Sequence, residues 1–194
     1  MIFLKAILNI ENLLKEFESN FIKFRKICIL GIGAEFRQDD AVGTQLLKDL
    51  IRRIKELIQS HNNDSYILHG DDILQYHQFL LINGAVLPEQ YCEIIAEFNP
   101  DFMIIIDAAI FQGKPGDIIK TDVDSWNYSP VSSHMLPLSQ FVSMIKIINS
   151  KFSAHIDILG IYAQNIFFGE NLSESVQQIK DHIEKFLMLK MLQF

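Results

Sequence analysis

From Ile27 onward, short aliphatic and β-branched runs alternate with longer stretches whose apolar residues recur every three or four positions, the pattern of strands interleaved with amphipathic helices. Ile27-Cys28-Ile29-Leu30-Gly31-Ile32-Gly33 predicts a buried strand ending in glycines, and Ala41 to Gln59 sets Val42, Leu46, Leu47, Leu50, Ile51, Ile54, Leu57 and Ile58 on one helical face. Ser60 to Ser65 is polar and predicts a loop, and the stretch from there to Tyr76 resembles an insertion with no assignable element. Phe79 to Ala85 predicts a second strand. Pro88, with its fixed φ, opens a helix that buries Tyr91, Ile94, Ile95 and Phe98 and stops at Pro100. Phe102 to Asp107 is apolar until its last residue, as in a central strand covered on both faces.

Gly113-Lys114-Pro115-Gly116 is a turn signal leading into Asp117 to Val123, which predicts an antiparallel edge strand. A long loop from Asp124 to His134 precedes a helix over Pro137 to Asn149 and a strand over Ile156 to Ala163. The last helix is expected to begin at a capping box of Asn171 and Glu174 and to bury Leu172, Val176, Ile179, Ile183, Phe186 and Leu187. Ahead of all this, Ile7, Ile10, Leu13, Leu14, Phe17 and Phe21 recur at helical spacing and predict an amphipathic helix packed on the domain, with partner docking as the alternative. The expected architecture is a three-layer α/β/α sandwich around a twisted, mostly parallel five-stranded sheet with one antiparallel edge strand. Residues 1–26 form a helical extension and residues 27–194 one domain.

Composition narrows the classes. A chain of 194 residues with 49% hydrophobic and 21% charged residues is globular rather than disordered or collagen-like. Lys and Arg number 17 against 24 Asp and Glu, so the net charge of -7 gives no general attraction to nucleic acid or anionic lipid. No apolar window is long enough to span a membrane, and Glu11, Glu16 and Glu18 with no small-residue cleavage site argue against a secretory signal. Cys28 and Cys92 lie in apolar runs and form no CxxC pair, as expected of buried thiols in a reducing, cytoplasmic compartment.

Chemistry is expected where strands end. In an open α/β sheet the carboxyl rim carries the site, and three residues approach it: Asp40 in the first loop, Asp107 at the end of the apolar strand, and His134 before a helix. Adjacent Asp39 and Asp40 at a helix mouth have a plain use in capping. Asp107 needs water, a hydrogen bond or a cation. One imidazole and two carboxylates suit a borderline divalent cation. The first loop is not a dinucleotide fingerprint, because Phe36 stands at the third glycine, and no phosphate cradle supports a nucleotide- or sugar-binding domain. Ser132 and Ser133 beside His134 lack a nucleophile elbow.

Gly31 to Gly43, Leu87-Pro88-Glu89, Ile106-Asp107-Ala108-Ala109, Pro115-Gly116 and Ser133-His134 together resemble, in order and spacing, the motifs of the hydrogenase maturation proteases, over about Ile27 to Phe186. The likeness is to the hydrogenase 3 maturation type, with its Pro-Glu motif. The resemblance implies an endopeptidase that removes the C-terminal extension of a nickel-loaded [NiFe] hydrogenase large-subunit precursor, with a five-stranded sheet between helices. It assigns metal engagement and catalysis to Asp40, Asp107 and His134, with nickel supplied by the precursor rather than stored, and no nucleotide cofactor. Asn83, Gly84, Ala85, Val86 and Glu89 fall where the family reads its substrate. The partner implied is the precursor, met by a monomer without nucleic acid or membrane.

This chain departs from the family at Ala34, where Asn is usual, and at Asn83-Gly84-Ala85-Val86, where Asp-Gly-Gly followed by Thr or Ser is common. If those losses removed turnover, the alternative is a noncatalytic nickel-sensing or precursor-holding protein of the same fold.

Overall fold

The computed structural model describes residues 9–60, 66–68, 70–123 and 136–193. Strands β1 (Ile27–Ile32), β2 (Tyr66–Leu68), β3 (Ile73–Tyr76), β4 (Phe79–Ala85), β5 (Phe102–Ala109), β6 (Ile118–Thr121) and β7 (His155–Tyr162) form one sheet in the order β2-β3-β4-β1-β5-β7-β6. The four central strands β4, β1, β5 and β7 run parallel, and β6 closes one edge antiparallel to β7.

The expected count of five strands is corrected to seven. The unassigned segment before Tyr76 supplies β2 and β3, which add to the β4 edge as an antiparallel pair. Strands of three and four residues carry too short an alternation to register as a pattern.

Helices α1 (Ile10–Lys23), α2 (Val42–Ser60) and α5 (Glu174–Met191) cover one face of the sheet, and α3 (Cys92–Phe98) and α4 (Leu138–Ile148) the other. The strand alternation sorts the side chains. Ile27, Ile29, Phe102, Ile104 and Ile106 point to the first layer, and Cys28, Leu30, Ile32, Met103 and Ile105 to the second. Such double coverage requires the continuously apolar strands seen in the sequence. Leu13, Phe17 and Phe21 of α1 are buried in the same cluster as α2 and α5, so its apolar stripe is used in packing.

Several boundaries have local causes. Asn9 caps α1, its Oδ1 accepting from the Glu11 amide at 2.8 Å. Pro88 opens a 3-10 turn, Pro88–Tyr91, that feeds α3, and Asn99 in the left-handed region ends α3 before Pro100. The capping box expected at Asn171 is not the start of α5. Ser173 is the N-cap residue, and its hydroxyl donates elsewhere.

Candidate active site

Parallel register sets Asn83 of β4, Gly31 of β1 and Ile106 of β5 side by side near the rim where β1 and β4 end, and β5 continues along β7 to Ala109, so that Asp107, expected at a strand end, lies inside the strand opposite Gly160. Asp107 follows Ile106 and is wholly buried, with its Oδ1 accepting from the Ala108 amide at 2.9 Å.

The turn that brings Asp40 to this rim depends on missing side chains. Gly33 has φ +144°, and a Cβ there would lie 1.8 Å from the Asp40 carbonyl oxygen. A Cβ on Gly43 would lie 2.3 Å from the Ile106 carbonyl oxygen and 2.5 Å from that of Ile32. These contacts press the first turn of α2 onto the ends of β1 and β5, and Thr44 Oγ1 fixes the approach by donating to the Gly33 carbonyl at 2.9 Å. The glycines serve backbone packing, in agreement with the failed dinucleotide fingerprint.

Asp40 sits in a 3-10 turn, Gln38–Ala41, that packs against β5. It is wholly buried, with Oδ2 3.7 Å from the Arg37 guanidinium. The structure therefore brings Asp40 and Asp107 to one rim, both withdrawn from water, with a guanidinium beside Asp40. Burial disfavours a bare charge on either carboxylate, so each calls for hydrogen bonds or a cation.

Asp39 does something other than the helix capping expected of it. Its carboxylate is wholly buried and accepts from the amides of Gln164 at 2.8 Å, Asn165 at 2.9 Å and Ser173 at 2.6 Å, and from Ser173 Oγ at 2.9 Å. Backbone hydrogen bonds between Gln38 and Gly169, Gly169 and Phe36, and Asp39 and Asn165 complete a seam joining the Asp40 turn to the segment before α5. Arg37 and Asp39 are the residues that sequence reasoning undervalued. The i,i+3 spacing of Arg37 and Asp40 was the available signal, whereas the Asp39 partners lie about 125 residues away.

On the β4 side, Asn83 is almost wholly buried and fixed by the inserted strands. Its amide and its Nδ2 donate to Asp72 at 2.8 and 2.7 Å, and its Oδ1 accepts from Ala85 at 3.3 Å. Gly84 is buried too, and its closest approach is to Leu30 and the Gly31 carbonyl of β1. Ala85, Val86 and Glu89 are half-buried.

Ala85 occupies the left-handed region at φ 45°, where a side chain bears strain that glycine would not. Its carbonyl accepts from Gly33 at 2.9 Å, which couples this stretch to the Asp40 turn. Glu89 Oε2 is enclosed with no hydrogen-bond partner among the described residues. Burial, and after it the Glu89 carboxylate, pushes the nearby Cys92 thiol up to about 11.

His134, with Ser132, Ser133 and the expected loop over 124–134, lies outside the described residues. Among the described residues no group of three His, Cys, Asp or Glu side chains is gathered closely enough to hold a metal ion. The donors assigned by the sequence and described here are thus two, both carboxylates. No helix among the described residues is long and apolar enough to cross a membrane.

Comparison with known proteins gives this geometry its context. The family model for HycI, hydrogenase maturation protease, matches residues 66–189. A Methanocaldococcus jannaschii protein assigned as a hydrogenase maturation protease is 35% identical over 162 residues, covering 82% of this chain and 84% of the relative. The crystal structure of the [NiFe] hydrogenase maturation protease HycI from Thermococcus kodakarensis superposes with a TM-score of 0.66 at 28% identity, over 92% of this chain and 99% of that one. The solution structure of the endopeptidase HycI from Escherichia coli shares the fold, with a TM-score of 0.62 at 19% identity over 84% of this chain and 89% of its own.

Proposed function

Because the chain belongs to the hydrogenase maturation protease family and is accordingly a peptidase, we propose that it removes the C-terminal extension of a nickel-loaded [NiFe] hydrogenase large-subunit precursor. The observation that carries this reading is the pair of wholly buried carboxylates, Asp40 and Asp107, at one rim of the sheet, where Gly33 and Gly43 let the Asp40 turn pack closely on β1 and β5.

Nickel arrives as part of the substrate. Asp40, Asp107 and His134 supply the N/O donors that complete its coordination, and three such donors drawn from separate parts of the chain bind free metal weakly. The metal therefore acts as the signal that the precursor is ready, and it holds the scissile bond beside the rim. Hydrolysis adds a water oxygen to the peptide carbonyl carbon. A carboxylate takes the water proton and the leaving amine nitrogen receives one, with the carbonyl polarised by nickel or by the protein's own donors. No nucleotide cofactor enters this scheme, and it suits a monomer working in the cytoplasm.

Incubating the purified protein with nickel-loaded and nickel-free precursor, followed by intact-mass measurement, tests this directly. Loss of the extension from the loaded form alone is expected, and Asp107→Asn and His134→Ala should abolish it while leaving the far-ultraviolet circular dichroism unchanged. Equal cleavage of the nickel-free precursor would remove nickel from the mechanism. No cleavage of either form would favour the precursor-holding alternative.

A further inference from the structure

The seam that fixes Asp40 also holds aromatic rings out in solvent. Phe167 and Phe168 are 76% and 88% exposed, and Phe36, 52% exposed, stacks on Phe168 with ring centroids 6.4 Å apart. Exposed phenylalanines on a mobile tip would mean little, but Phe167 and Phe168 immediately precede Gly169, whose N–H and carbonyl are both bonded to the turn carrying Arg37 and Asp40. Four hydrogen bonds to the buried Asp39 carboxylate anchor the same segment at 164, 165 and 173. A stacked, exposed ring pair beside a third exposed ring on so firm a base marks a contact surface, and aromatic side chains are enriched at such surfaces.

Resting on the function proposed above, we infer that Phe36, Phe167 and Phe168 form a shelf that receives apolar side chains of the hydrogenase precursor as its chain enters the Asp40–Asp107 rim. Continuity identifies the occupant. Phe36 stands four residues before Asp40, and Arg37 between them pairs with Asp40 while bridging to Gly169. A polypeptide whose scissile bond lies at the rim passes the shelf on its way in or out. The exposed Ile147 on α4 has no such link to the Asp40 turn among the described residues and serves as the control.

Phe167→Ser/Phe168→Ser in the full chain tests the shelf, because both side chains are largely in solvent and their loss leaves folding stability nearly unchanged. Dissociation constants for the precursor, and KM and kcat for its cleavage, are compared among wild type, this double variant and Ile147→Ser. At least tenfold weaker binding and a matching rise in KM are expected, with kcat little changed and Ile147→Ser like wild type. Wild-type binding and KM in the double variant would overturn the shelf while leaving the proposed reaction standing. If the wild type binds the precursor without cleaving it and the double variant does not bind, the reaction is wrong and the shelf is supported. A wild type that does not bind the precursor, or one that dimerises in sedimentation through these rings with precursor binding unaffected by their loss, overturns the shelf.

Discussion

Asp39→Ala separates two uses of a carboxylate at a helix mouth. As a helix cap, Asp39 would be worth about 1 kcal/mol. As found, it satisfies three backbone amides and one hydroxyl from the segment at 164–173. A hydrogen bond to a charged acceptor contributes about 1.5–3 kcal/mol net, and a donor left buried without a partner costs about 1–3 kcal/mol. These donors are only partly buried, so water restores some of the loss, and we expect a total of roughly 3–5 kcal/mol. With an m value of about 3 kcal/mol/M in urea, the top of the usual range, the unfolding midpoint should fall by roughly 1–1.7 M, against about 0.3 M for a lost cap.

Urea titration followed by circular dichroism reads the difference. Asp39→Asn should fall between wild type and Asp39→Ala, since its one carbonyl oxygen can still accept two amides while its NH2 faces another donor. A midpoint shift of 0.3 M or less in Asp39→Ala would show that the seam does not depend on this carboxylate.

Gly43→Ala should cost well over 3 kcal/mol and collapse soluble yield, because its Cβ meets backbone oxygens of β1 and β5 that cannot swing aside. Ala85→Gly should do the reverse: relief of a left-handed alanine, worth about 1–2 kcal/mol, outweighs the added chain entropy, so the thermal midpoint should rise by a few degrees in calorimetry. Cys28 and Cys92 are buried with their thiol pKa values raised, so native protein should react slowly with a thiol reagent at pH 8 and denatured protein fully at both. Since unfolded thiols ionise from about pH 8.5 while Cys92 holds its proton to about 11, the unfolded state binds fewer protons over that window; stability should be intact below it and fall as pH rises through it. Lys180→Met leaves the buried Glu184 with Arg53, 3.0 Å away, as its remaining ion-pair partner and should cost about 1.5–3 kcal/mol by urea titration, because Lys180 Nζ lies 3.0 Å from Glu184 and 2.5 Å from Asp49 between α2 and α5.

The sequence by itself determined the parts of this protein that repeat locally. Four parallel strands buried on both faces read as continuous apolar runs, and α2, α4 and α5 carried their buried stripes in plain sight, since each element states its own environment in its periodicity. Asp107 stood out for the same reason, as the one polar residue ending an apolar run, the strand order put Asp40 and His134 on the same expected rim, and the family motifs gave the three a role. Strands β2 and β3 were illegible because three or four residues give a period-2 pattern no room to show, and their role appears only when Asp72 is seen to hold Asn83.

The tertiary structure alone decided what Asp39, Gly33, Gly43 and the phenylalanine shelf do. Adjacent Asp39 and Asp40 look alike in one dimension, yet one ties down a segment more than 120 residues away and the other faces the strand ends. A glycine's contact exists only once two distant backbones meet, and an aromatic residue is core or surface according to what the chain folds over it. Those properties belong to pairs of remote residues, and pairing across such separations is written in no local pattern.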